Sequence, residues 1–126
     1  MSSVYLCSVR AVSAGIYRSS ADNYVSLLGV PELSQVSSGA DSLTLGSAVS
    51  LSRLIEQLQQ LAPSAGFRHF SDMASHLLLV ANTPVRNAGS WAGNLMLKYA
   101  HNEFPSDVFL LLAAAGGRLQ IGTCSQ

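Results

Sequence analysis

The sequence predicts an α+β fold. Three observations predict it: stretches with helical apolar spacing, a period-two segment beside turn residues, and a composition that folds. Of 126 residues, 48% are hydrophobic and 11% charged. Such a chain buries a modest single-domain core and does not have the profile of a disordered polymer. Helical and strand signals alternate irregularly, with a hairpin among them. That favours packed helices beside a sheet over a repeating βαβ array.

Taken in chain order, residues 15–25 read as a loop, followed by a short strand over 24–28. Val30-Pro31-Glu32-Leu33 gives a turn or one helical turn. Ser37-Ser38-Gly39-Ala40-Asp41 is turn chemistry. Ser42-Leu43-Thr44-Leu45 alternates with period two and runs toward Gly46, so residues 34–45 make a hairpin. Leu51, Leu54, Ile55, Leu58 and Leu61 follow the 3.6 period and predict a helix over 50–62, with Ser50 as N-cap and Pro63 as stop. Phe70, Met73, Ala74, Leu77, Leu78 and Ala81 mark a second helix over 69–81, ended by the restriction that Pro84 places on the residue before it. Ser106 caps a third helix over 107–115, with Asp107 at its positive end and Gly116 and Gly117 closing it. Residues 118–121 read as a last strand.

Charge and cysteine usage narrow the function. Seven basic and seven acidic residues balance, so nothing draws the chain to nucleic acid or an anionic membrane. The longest apolar run, residues 108–115, is too short for a bilayer. The N-terminus lacks a basic region and Arg10 interrupts its apolar stretch, so no signal peptide is expected. Cys7 and Cys124 form no disulfide framework and cannot alone hold zinc or an iron–sulfur cluster. The expected compartment is the cytoplasm. His69, His76 and His101 show no metal-ligand spacing. Asp72 and His76 sit four apart, which on a helix suggests a surface ion pair. No serine lies in a nucleophile elbow. Neither a metal site nor a catalytic residue is assigned.

The most informative stretch is Thr83-Pro84-Val85-Arg86-Asn87-Ala88-Gly89-Ser90-Trp91-Ala92-Gly93-Asn94-Leu95-Met96. It reads either as a structural loop joining the second helix to a strand, or as a ligand cradle. In the second case backbone N–H groups near Gly89, Gly93 and Asn94 face a polar or anionic ligand, helped by the Ser90 hydroxyl and Asn94 amide. Trp91 either stacks on a flat ring or fills core.

This stretch, continued by Asn102-Glu103-Phe104-Pro105-Ser106-Asp107-Val108-Phe109, resembles the flavin-binding domain (PCMH type) of the molybdenum hydroxylases, xanthine dehydrogenase and aldehyde oxidase. It looks most like aldehyde oxidase. Gly15-Ile16-Tyr17-Arg18, Val30-Pro31-Glu32-Leu33, Ser42-Leu43-Thr44-Leu45-Gly46 and Leu51-Ser52 fit in the same order. The resemblance implies the larger subdomain of that FAD-binding domain, a mixed sheet with packed helices, over residues 15–126, after a divergent segment 1–14. In that family substrate is oxidised at a molybdenum centre, electrons cross two iron–sulfur clusters, and FAD delivers them to oxygen or NAD. Carried onto this sequence, FAD contacts fall on Ser90, Trp91, Ala92, Gly93, Asn94 and Asp107. Val80 matches a position whose aromatic covers the flavin ring in xanthine dehydrogenase.

Two departures stand beside these matches. The family's Leu-x-x-Gly-Asn-Thr loop, which cradles the pyrophosphate, should precede Gly15, where this chain reads Val9-Arg10-Ala11-Val12-Ser13-Ala14. Iron–sulfur and molybdenum domains are expected elsewhere, in a parent enzyme or a related chain. The expectation is a fragmentary flavin domain that binds FAD weakly and turns nothing over alone. The alternatives are a non-catalytic remnant that keeps the fold as a partner module, and a plain binding module whose glycine turn is only structural.

Overall fold

The computed structural model describes residues 29–121. The strand expected over 24–28, segment 1–14 and both cysteines lie outside the described residues. A single 3-10 turn, Pro31–Ser34, precedes the hairpin, so the helical alternative at Pro31 is the one adopted. Strands β1 (Val36–Ser38) and β2 (Leu43–Leu45) pair antiparallel, with Val36 opposite Leu45 and Ser38 opposite Leu43. Gly39 N–H donates to Ser42 O at 2.8 Å and closes the tip. Among the described residues the sheet is this pair, with five helices beside it: an α+β arrangement.

Helix α1 (Leu51–Leu61) starts where the capping serine demands. Ser50 Oγ accepts from Arg53 N–H at 3.2 Å, meeting one of the first-turn donors that a helix leaves open. Its apolar stripe buries Leu51, Leu54, Ile55 and Leu58. Helix α2 (His69–Leu77) packs across that stripe through Phe70, Met73, Ala74 and Leu77. Phe67 joins them, its ring 4.8 Å from that of Phe70, within the range of favourable aromatic contact. Burying such side chains, at about 1.5–3 kcal/mol each, is the main force holding the two helices together.

Four elements depart from the sequence reading. Helix α2 ends at Leu77, not at 81. Pro84 does not merely stop a helix; it opens one. Helix α3 (Thr83–Ala88) has Pro84 in its first turn and Asn82 as N-cap, whose Oδ1 accepts from Val85 N–H at 3.0 Å. Proline lacks only an N–H that the first turn leaves unpaired anyway. Helix α4 (Trp91–Ala100) follows at once, so the glycine-bearing segment is two helices and a junction rather than an open turn. Helix α5 (Asp107–Ala114) stands as expected, with Ser106 as its cap and Gly116, at φ +69°, closing its end. Residues 118–121 form no strand; Leu119 and Ile121 are largely exposed and pair with no strand among the described residues.

Gly46 is where the hairpin meets the helical layer. Its N–H donates to Gln35 O at 2.8 Å, and Ala48 N–H donates to Leu33 O at 2.7 Å. A Cβ on Gly46 would lie 2.2 Å from Leu33 O, with backbone on every near side. Gly46→Ala is expected to destabilise the chain by about 1–3 kcal/mol or more through overpacking. Urea unfolding followed by far-UV circular dichroism checks this; an unchanged midpoint would refute the close packing.

Candidate functional site

The site grows from three capped helix starts. Residues 49–51 and 89–91 run antiparallel as a short bridge centred on Ser50 and Ser90. Leu51 N–H donates to Gly89 O at 2.9 Å and Trp91 N–H to Val49 O at 3.2 Å. The bridge sets the two capping serines side by side. Ser90 Oγ accepts from Gly93 N–H at 3.0 Å and starts α4 as Ser50 starts α1.

Asn94, in the first turn of α4, reaches the third start. Ser106 Oγ accepts from Phe109 N–H at 3.0 Å, so its hydroxyl proton is free to point away and donate to Asn94 Oδ1 at 2.5 Å. That bond fixes the amide with its Nδ2 end, the donor end, turned from Ser106. Ser106 is buried. The next residue, Asp107, is half-exposed, and its Oδ1 lies 3.4 Å from His76 Nε2. His76 therefore reaches across to α5 instead of making the expected pair with Asp72. It also lines an open cleft of about 500 Å³ shared by α2 and α5, with His69, Asp72, Met73 and Leu111 on its walls. Among the described residues no three His, Cys, Asp or Glu side chains gather to hold a metal ion.

The remaining site residues divide by burial. Ala92 and Gly93 are buried, while Ser90, Trp91 and Asn94 are partly exposed. Of the two roles open to Trp91, the structure shows anchoring: the indole packs against the core and Nε1 donates to Gly46 O at 2.8 Å. Val80 lies in the turn after α2, half-buried against the core. The backbone cradle does not form as expected. Gly89 N–H donates to Val85 O, Gly93 N–H to Ser90 Oγ and Asn94 N–H to Ser90 O, so the amides expected to meet a ligand close the helices instead. What this region offers outward is side-chain chemistry: a hydroxyl, an amide and a carboxylate at helix starts, where the peptide dipoles favour negative charge.

Residues 15–126 match the family described as the FAD binding domain in molybdopterin dehydrogenase. The chain belongs to this family. It is similar to plant aldehyde oxidases. Identity is 31% over 106 residues to indole-3-acetaldehyde oxidase of Arabidopsis thaliana, covering 83% of this chain and 8% of the relative. It is 34% over 93 residues to abscisic-aldehyde oxidase of the same plant, covering 74% and 7%. It is 36% over 115 residues to indole-3-acetaldehyde oxidase of Zea mays, covering 90% and 8%. The chain thus spans a small part of the length of the relatives it matches.

For a member of the FAD-binding domain family, the donor set is of the right kind. FAD presents phosphate and carbonyl oxygens, which the Ser90 hydroxyl and Asn94 amide suit, and hydroxyl and N–H groups, which the Asp107 carboxylate suits. Sequence reading missed the links that unite these groups: the Ser50–Ser90 bridge, the Ser106 bond to Asn94 and the His76 contact with Asp107. Ser106 was legible as a cap but carried no signal for its second bond. Ser106→Ala removes both at once and is expected to cost about 1–2 kcal/mol, the upper range for a lost cap. Thermal unfolding checks it, and a change below a few tenths would deny Ser106 its linking role.

Proposed function

We propose that this chain supplies the flavin-holding, electron-passing part of a molybdenum hydroxylase of aldehyde oxidase type. The observation that supports the reading is the joining of three serine-capped helix starts, at Ser50, Ser90 and Ser106, through the Ser50–Ser90 bridge and the Ser106 bond to Asn94. Each helix start contributes roughly half a positive charge, so a chain of zero net charge still has a local preference for an anionic nucleotide.

In this reading Ser90 and Asn94 donate to FAD and Asp107 accepts from it. Trp91 anchors the junction while its exposed edge meets the cofactor. Ala92 and Gly93 keep the approach free of side-chain bulk. Val80 covers the flavin ring as an aliphatic, without aromatic stacking. Bound FAD would take electrons from substrate oxidation and pass them to an acceptor. The relatives' names support an aldehyde as the parent enzyme's substrate, oxidised on a molybdenum domain with its electrons relayed by iron–sulfur clusters, both carried elsewhere in a longer chain or a partner chain. No helix among the described residues is long and apolar enough to cross a membrane, and the sparse cysteines support a cytoplasmic setting.

The departure at residues 9–14 favours a second reading, a module that keeps the fold but turns nothing over. Losing hydrogen bonds to a charged pyrophosphate, at about 1.5–3 kcal/mol each, weakens FAD by orders of magnitude. Titration of the chain with FAD, followed by flavin fluorescence, tests both. Saturable binding weaker than micromolar is expected, with Asn94→Ala weakening it further by about tenfold, or 1.4 kcal/mol. Binding unaffected by Asn94→Ala would refute the assigned site. Micromolar affinity in the unaltered chain would refute the claim of a weakened one.

A further inference from the structure

We propose that Arg86 is a positioning residue for the flavin, acting by fixing the backbone that carries Val80. The inference rests on the reading of Val80 as the residue that covers the ring, and adds what holds it there.

The turn between α2 and α3 is costly to hold. After Leu77 the chain tightens: Leu79 N–H donates to His76 O at 3.0 Å and Val80 N–H to Leu77 O at 3.1 Å. Ala81 then sits at φ +53°, the one non-glycine residue with positive φ among those described. A left-handed alanine costs about 1–2 kcal/mol, so something must hold the turn in this form. Three carbonyls, those of Leu78, Val80 and Ala81, converge on one point. Arg86 Nη1 meets them at 3.1, 3.0 and 3.3 Å, and Nη2 donates to Thr83 Oγ1 at 3.1 Å. A guanidinium suits this: a planar cation with several fixed donors, where a lysine would bring a flexible point charge.

The clamp has a firm base. Arg86 stands on α3, which Asn82 caps and which Asn87 ties to α1 by accepting a hydrogen bond from Ser52. Position therefore passes from α1 through α3 and the guanidinium to Val80. The neighbour on the other side, Leu79, is 81% exposed. A turn released from Arg86 can rotate and exchange one aliphatic side chain for the other at the ring.

The test uses the full chain, FAD itself as probe, and the variants Arg86→Met, Arg86→Lys and Val80→Trp. FAD affinity is measured far below the unfolding midpoint of each apo chain, which is determined separately. Arg86→Met is expected to weaken FAD about tenfold, and Arg86→Lys to recover only part of that loss. A tryptophan at position 80 is expected to stack on the ring and quench bound-flavin fluorescence, and Arg86→Met or Arg86→Lys in that background to relieve the quench. The lysine variant keeps the charge, and carries the same expectation in smaller measure if the methionine variant does not fold. Lower unfolding midpoints with unchanged affinity and unchanged quench would overturn the proposal and leave Arg86 a purely structural clamp. If the unaltered chain binds no FAD at all, the reading of the site falls and this inference falls with it. If FAD binds but Val80→Trp does not quench it, the site stands and the inference fails alone.

Discussion

The described fold depends on the junction where residues 49–51 and 89–91 pair antiparallel. Two backbone hydrogen bonds, Leu51 N–H to Gly89 O and Trp91 N–H to Val49 O, fix Ser50 beside Ser90. The Trp91 indole then reaches back to Gly46 O, the residue that tolerates no Cβ against Leu33. Through that contact the hairpin, α1 and α4 share one origin. Every later relationship in the site, including the reach of Asn94 to Ser106, takes its position from there.

Local rules predicted the elements that local rules control. Ser50, Pro63 and a clean 3.6 period place α1 within a residue of its ends, and Ser106 with Gly116 does the same for α5. The alternation in Ser42-Leu43-Thr44-Leu45 correctly gives β2 and its hairpin. The reading failed where one residue can play two parts. Pro84 restricts the residue before it and also suits a first helical turn, and Asn82 as cap decides for the second. The glycines at 89 and 93 suggested an open turn, but flank a capping serine instead. The stripe through Leu78 and Ala81 continues the α2 period past Leu77, while Arg86 gathers the carbonyls there into a turn. That is a contact between residues five to eight apart on different elements, which no periodicity records. The proposed site residues come from family resemblance, and the connections among them only from the fold.

The proposed site also gives a sequence of zero net charge a way to hold an anionic ligand. Formal charges balance, and an exposed side-chain contact such as His76–Asp107 contributes little stability. Helix starts are different. Their aligned first-turn peptide dipoles carry partial positive charge that no count of lysines reveals. In the proposed reading, three of them joined by hydrogen bonds make a local field, and one hydroxyl, one amide and one carboxylate supply the specificity.

The most direct test of this account is a backbone amide spectrum of the isotope-labelled chain recorded during FAD addition. The account predicts saturable shifts concentrated at residues 90–94 and 106–109, with Val80 following. Saturable shifts confined to the cleft walls around His69, Asp72 and Leu111, with the capped helix starts unmoved, would contradict it.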